Sequence, residues 1–158
     1  MVDVHTPEAR SRNMRAIRNK DTKPELLIRK ALHARGFRYR LGGAGLPGHP
    51  DIVLPKYRTA IFIHGCFWHG HNCKYFKLPA TRTEFWAGKI RSNQERDQRS
   101  TSLLVEQGWS VLTVWECSLK PSGSGVEAVL HEIEGVLTQS LNVRVSQLLV
   151  ISGLTSKM

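Results

Sequence analysis

The chain has 158 residues, 41% of them hydrophobic and 23% charged, enough for one domain with a sizeable core. No apolar run approaches the ~20 residues of a membrane span, and the first residues lack the charged and apolar regions of a secretory leader. Membrane insertion and export are therefore not expected, and a cytoplasmic location is. Lysine and arginine exceed the acids by 23 to 13, and the excess sits at the front: residues 1–40 carry +7, 41–100 carry +5 and 101–158 carry −2. Such a gradient is either general solubility or the electrostatic footprint of a polyanion binder. The basic stretch lacks the leucine and aromatic face of an interfacial helix, so nucleic acid is the better partner.

Residues 8–20 read as a short basic segment with little apolar surface beyond Met14, Ala16 and Ile17, an arm that would order on a partner. Arg12, Arg15, Arg18 and Lys20 are its candidate nucleic-acid contacts. Asp21-Thr22-Lys23-Pro24-Glu25 is a helix start, with proline and an acid in the first turn. The helix is predicted to run to about Arg35, to bury Leu27, Ile28, Ala31 and Leu32, and to stop at Gly36. Glu25, Ile28, Arg29 and Leu32 share a face, which puts Glu25 at the polar end of a buried stripe. Alternation of apolar and basic residues predicts a half-exposed strand over Phe37-Arg38-Tyr39-Arg40-Leu41, followed by a glycine-rich turn. Residues 50–54 and 59–63 are two short apolar strands whose connection suits a hairpin.

Residues 64–81 form a loop dense in histidine, cysteine and aromatics. A long helix is predicted from Thr83 to Gly108. Its middle, Arg91 to Ser102, holds no apolar residue, so it is either a solvated face or break, or a face lining a nucleic-acid groove. Residues 111–115 make the best central strand, 121–125 a loop and 126–137 a helix; beyond these only Leu148 to Ile151 is an apolar stretch. Helix, strands, helix, strand, helix predicts one α/β domain with a mixed sheet. A basic arm (1–20), a core (21–140) and a C-terminal extension of unassigned role (141–158) divide the chain.

The three cysteines, Cys66, Cys73 and Cys117, cannot pair off completely, which favours a metal or thiol role in a reducing compartment. With His71 they supply the four soft and borderline ligands of a closed tetrahedral zinc site; the alternative is that the cysteines simply pack. Phe67, Trp68 and Trp86 are either core or rigid wedges that enter a base step. Asp51 opens an apolar strand, and the next strand ends in Ile63-His64. An acid so placed can hold a divalent metal beside a phosphate while a neighbouring histidine moves a proton, although aspartate after proline is also a common turn residue.

The segments Arg12-Asn13-Met14-Arg15-Ala16-Ile17, Pro47-Gly48-His49-Pro50-Asp51, Phe62-Ile63-His64-Gly65-Cys66-Phe67-Trp68-His69 and Pro79-Ala80-Thr81-Arg82-Thr83-Glu84-Phe85-Trp86 together resemble the very short patch repair endonucleases. Arg96-Asp97 and Val114-Trp115-Glu116-Cys117 extend the resemblance, which runs in order from residue 3 to about 120. It implies a nuclease core of the PD-(D/E)XK type, a DNA-gripping arm and a structural zinc. The implied activity is a single-strand nick on the 5′ side of the thymine in a T:G mismatch left by deaminated 5-methylcytosine. Position by position, it implies that Asp51 and the Ile63 carbonyl ligand catalytic Mg²⁺, that His69 is the general acid/base, and that His64 and Glu25 support the site. It assigns Cys66, His71, Cys73 and Cys117 to Zn²⁺ and Phe67, Trp68 and Trp86 to the wedge.

Phe62 and His64 stand where the wider nuclease motif has an acid and a lysine, in keeping with the repair family rather than the general mechanism. The implied partners are mismatched duplex DNA and, functionally, mismatch-repair proteins and a cytosine-5 methyltransferase, with the chain a monomer. The competing readings are a restriction-type nuclease of matched duplex and a zinc-organised DNA-binding module without catalysis.

Overall fold

The computed structural model describes residues 6–17, 19–142 and 148–151. Helix α1 (Pro7–Ala16) buries none of its residues. It ends sooner than the segment read from sequence, because Ile17 is already extended. Arg18 lies outside the described residues.

Helix α2 (Lys23–Ala34) starts on a capping arrangement. The Thr22 hydroxyl oxygen accepts from the Glu25 N–H at 3.4 Å, and the same hydroxyl donates to Glu25 Oε1 at 3.0 Å. Threonine at the cap and glutamate three residues on satisfy donors that the first turn would otherwise leave open. Ile28 and Leu32 are fully buried and Ala31 is half-buried, but Leu27 is 43% exposed. Leu27 sits about 100° around the helix from Ile28 and so falls off the inward stripe.

The expected strand at 37–41 is not formed. The chain makes a lone bridge there, in which Arg40 N–H donates to the Val53 carbonyl and Val53 N–H returns to that of Arg40. The alternation reports burial correctly, since Phe37 and Tyr39 are half-buried and Arg38 and Arg40 exposed. The backbone is engaged elsewhere: Phe37 N–H closes α2 onto the Leu32 carbonyl, and Gly42, at φ +72°, turns the chain away after Leu41.

The sheet has four strands in the order β1 (Ile52–Leu54), β2 (Thr59–His64), β3 (Ser110–Trp115), β4 (Leu148–Ile151). β1 and β2 form the expected antiparallel hairpin. β3 lies parallel to β2 after a crossover through α3 (Thr83–Glu106), and β4 parallel to β3 after α4 (Val126–Asn142). The fold is thus mixed α/β. The parallel pair β2–β3 is buried on both faces, which explains its near-continuous apolar composition.

Period-two alternation divides that pair between two layers. Ile61, Ile63, Leu112 and Val114 face α2 and α4 in the larger core with Ile28, Leu32, Leu130 and Ile133. Ala60, Phe62 and Val111 face the other way, against Leu104 of α3. Truncating fully buried Leu112 to alanine is expected to cost about 2–5 kcal/mol. By the same alternation His64 follows Phe62 onto the α3 side, where the chemistry lies. No helix among the described residues is long and apolar enough to cross a membrane.

Candidate active site and metal cluster

An open cavity of about 670 Å³ gathers the predicted acids and histidines. Glu25, Asp51, Ile63, His64 and His69 all line it, together with Met14 and Ile17 of the arm and Lys89, Asn93 and Arg96 of α3. The polar middle of α3 is therefore continuous helix without a break, with Asn93, Arg96, Asp97 and Ser100 on the cavity and most of its other residues exposed to solvent.

Asp51 immediately precedes β1, and its Oδ2 accepts the Ile63 N–H at 2.7 Å. The carboxylate thus extends the hairpin beyond the last pair of its ladder, Ile52 with Ile61. Burial pushes the Asp51 carboxyl up to about 6, against the lowering effect of that hydrogen bond; Glu25 raises it further, while Arg29 and His69 oppose. A carboxylate this short of compensating charge, in an open cavity, suits a hard divalent cation that brings its own water. Glu25, by contrast, is held at three points: Oε1 accepts from the Thr22 hydroxyl, and Oε2 accepts the Asp21 N–H at 3.0 Å and Arg29 Nη2 at 2.9 Å.

His64 and His69 stack with centroids 3.8 Å apart and planes 1° from parallel. Burial, then the neighbouring His69, lowers the His64 pKa to about 4, so this ring is neutral at neutral pH. His69 Nδ1 lies 2.5 Å from Asp97 Oδ2. The ligand atoms of these three residues fall within 4.8 Å of one another, but stacked rings point their in-plane lone pairs parallel rather than at a common centre. Such a trio can handle a proton, and an Nδ1–H on His69 would donate to Asp97.

Asp97 carried no role in the sequence reading. Its signal was helical spacing within the apolar-free stretch: Asn93, Asp97 and Thr101 are half-buried at intervals of four. Asn93 Nδ2 donates to the Trp68 carbonyl at 2.8 Å and Gln94 Nε2 to that of His69 at 3.1 Å, so α3 holds the loop that carries both residues. Gly70 permits this approach: at φ +63°, a Cβ there would lie 2.6 Å from Ile90 Cγ2 and from Gln94 Nε2.

Cys66, His71, Cys73 and Cys117 converge with their ligand atoms within 4.8 Å of one another, as their ligand chemistry suggested. Cys117 Sγ is 3.4 Å from His71 Nδ1, close to the edge of a tetrahedron of metal ligands. Burial pushes the Cys66 thiol up and His71 down. The first makes a free thiolate costly unless a cation neutralises it, and the second favours the neutral imidazole that ligation needs. The donor set suits a soft or borderline metal and ties the ends of β2 and β3 to the loop.

Phe67, Trp68 and Trp86 form one aromatic cluster with centroids 5.2 to 6.0 Å apart, all half-buried, and Trp68 reaches the cavity wall. Arg12, Arg15 and Lys20 are exposed.

The family described as DNA mismatch endonuclease Vsr matches residues 2–75. The DNA mismatch endonuclease Vsr of Escherichia coli is 54% identical over 120 residues, spanning 76% of this chain and 77% of that protein. The type II nicking enzymes V.XorIIP of Xanthomonas oryzae and V.NmeAIP of Neisseria meningitidis are 46% and 49% identical, over 84% and 76% of this chain and 97% and 86% of their own lengths. Identity of this extent, across a cavity that gathers acids and histidines beside a Cys/His cluster, places the chain in the DNA mismatch endonuclease Vsr family of the PD-(D/E)XK nuclease superfamily.

Proposed function

We propose that the protein nicks one strand of duplex DNA on the 5′ side of the thymine of a T:G mismatch, leaving a 5′ phosphate and a 3′ hydroxyl. The observation that carries this is the convergence of Asp51 and Glu25 with the His64–His69–Asp97 relay in a single cavity flanked by the aromatic cluster and the basic arm. Asp51 and the Ile63 carbonyl would hold Mg²⁺, which when bound polarises the scissile phosphate and stabilises charge on the leaving oxygen.

With Nδ1 engaged by Asp97, His69 presents Nε2 to the cavity and takes the proton of the attacking water there. Asp97 keeps the ring in the productive tautomer and stabilises the imidazolium. His64, neutral by burial, walls the relay without competing for its proton. Glu25 keeps a lone pair for a cavity water while its other contacts hold it still.

The Cys₃His cluster would hold structural Zn²⁺ and stiffen the loop bearing Phe67 and Trp68, so that less ordering is lost when these enter the helix. Entry at a T:G step costs less than at a matched step, because a mismatched step is easier to deform. The arm, through Arg12, Arg15, Arg18 and Lys20, adds phosphate contacts that carry no sequence information.

End-labelled duplexes carrying T:G or matched C:G in several CpG and CWGG contexts, with Mg²⁺ or with EDTA, test the assignment. A Mg²⁺-dependent nick 5′ to the mismatched thymine, absent in Asp51→Ala, is expected. Double-strand cleavage of matched duplex would instead make this a restriction-type enzyme. Binding that is unaffected by Asp51→Ala, with no cutting in any context, would make it a binding module.

A further inference from the structure

Three acids crowd the α2 end of the cavity, and Arg29 is the cation buried among them. Arg29 is 6% exposed and Glu25 4%. Its Nη1 lies 2.5 Å from Asp21 Oδ1 and its Nη2 2.9 Å from Glu25 Oε2, while Nε is buried with no hydrogen-bond partner. A buried guanidinium with an unpaired donor is destabilising by itself, so packing alone does not account for it. Its charge reaches the cleavage centre: Glu25 disfavours ionised Asp51 and Arg29 favours it.

We propose that Arg29 is a positioning residue for phosphodiester cleavage, latching the Glu25 carboxylate against the start of α2 so that Glu25 meets the bound cation through water rather than as a direct ligand. The inference rests on the cavity being the cleavage site. The latch is a charge-assisted bond one helical turn along α2, reinforced by the Asp21 N–H and the Thr22 hydroxyl. A carboxylate has about four acceptor sites, and three are taken on the protein side, leaving one for the cavity. Without Arg29, Glu25 loses its charged partner and is free to swing onto the cation beside Asp51. Two carboxylates bind a cation more tightly than one but displace a water and misplace what remains.

The experiment is a double-mutant cycle of Arg29→Met with Glu25→Gln, read two ways. In the first, Mn²⁺ is titrated into the zinc-loaded, DNA-free protein and followed by electron paramagnetic resonance; Mn²⁺ does not displace zinc from a thiolate site. Arg29→Met is expected to bind Mn²⁺ about 3- to 10-fold more tightly than wild type. In the Glu25→Gln background the same substitution should change nothing beyond twofold, because no carboxylate remains to be released. In the second, single-turnover nicking by Arg29→Met falls about 10- to 100-fold with mismatch affinity unchanged, again only where Glu25 is intact. Arg29→Lys, which keeps the charge and can still donate to one of the two carboxylates, recovers part of both effects.

Weaker or unchanged Mn²⁺ binding in Arg29→Met, or an effect of equal size in both backgrounds, overturns the proposal. If Arg29→Met fails to fold, Arg29→Lys with and without Glu25→Gln is read by the same titration, with a smaller tightening expected and no tightening overturning it. A wild-type protein that nicks no T:G duplex would refute the mismatch reading, while the Mn²⁺ cycle would still decide the role of Arg29.

Discussion

Across 28 residues of sequence, Asp97 Oδ2 meets His69 Nδ1 at 2.5 Å, joining the middle of α3 to the loop after β2. In the proposed mechanism this contact occupies Nδ1 of His69 and leaves Nε2 for the attacking water. Asp97→Asn keeps the shape of the side chain but removes the charge that, in the proposed mechanism, would stabilise the imidazolium. Its kcat for nicking is expected to fall about 10²- to 10⁴-fold with duplex affinity within twofold of wild type. A loss confined to affinity would show that Asp97 positions the loop for DNA and takes no part in the proton transfer.

Asp51 sets catalysis against stability. Its folded pKa of about 6 lies above the unfolded value of 3.8, so the proton is held more tightly in the folded state. The stabilisation from that proton is complete below pH 3.8 and lost as pH rises to about 6. Above that, the ionised carboxylate is a constant cost, on the order of 2 kcal/mol after allowing for solvent reaching the cavity. Asp51→Asn, whose side-chain oxygen can still accept the Ile63 N–H, should therefore abolish nicking yet raise Tm at pH 7.5 by roughly 5 °C in Mg²⁺-free buffer. The gain should vanish near pH 4. Thermal melts at the two pH values decide it, and an equal or lower Tm at pH 7.5 would show that burial does not penalise this carboxylate.

The Cys/His cluster invites a different measurement. Cys117 follows β3, whereas Cys66, His71 and Cys73 belong to the loop after β2, so a metal there closes the loop onto the sheet. Zinc analysis of the purified protein is expected to find a single equivalent, lost in Cys117→Ser, with Tm lower by roughly 10 °C. Activity should fall with it, since Phe67 and Trp68 are carried by the same loop. Metal-free protein with unchanged Tm would mean that the three cysteines only pack.

The parts of this fold that could be read in advance are those whose cause is local. Thr22 and Glu25 set the start of α2, residues 52–64 form a hairpin because two apolar runs flank a short turn, and Cys66, His71 and Cys73 lie close together in the chain. What escaped reading depended on distant partners. Asp97 looks like any exposed helix acid until His69 is beside it, and Arg29 like a stripe residue until Asp21, Glu25 and Asp51 surround its charge. Residues 37–41 alternate as a strand does, yet alternation records which side chains are buried, and of the described residues there only Arg40 makes a bridge to a strand. Leu27 was assigned inward by its chemistry, where the helical angle puts it outside.

The arm supplies a prediction that needs no catalysis. Arg12 and Arg15 are exposed on α1, a helix without a buried residue, so their removal should leave the core's stability untouched. Each phosphate contact releases condensed counterions, so log K for duplex DNA falls with log salt at a slope of about −0.9 per contact. Arg12→Ala and Arg15→Ala should each reduce that slope by about 1 and weaken T:G and matched duplexes alike, preserving their ratio. Trp68→Ala should do the reverse, lowering the preference for T:G with the salt slope unchanged, because stacking at a deformed step releases no ions. Fluorescence anisotropy over a salt series with both duplexes separates the two. If an arm substitution altered the T:G preference instead, the arm would be reading the mismatch and not merely gripping the backbone.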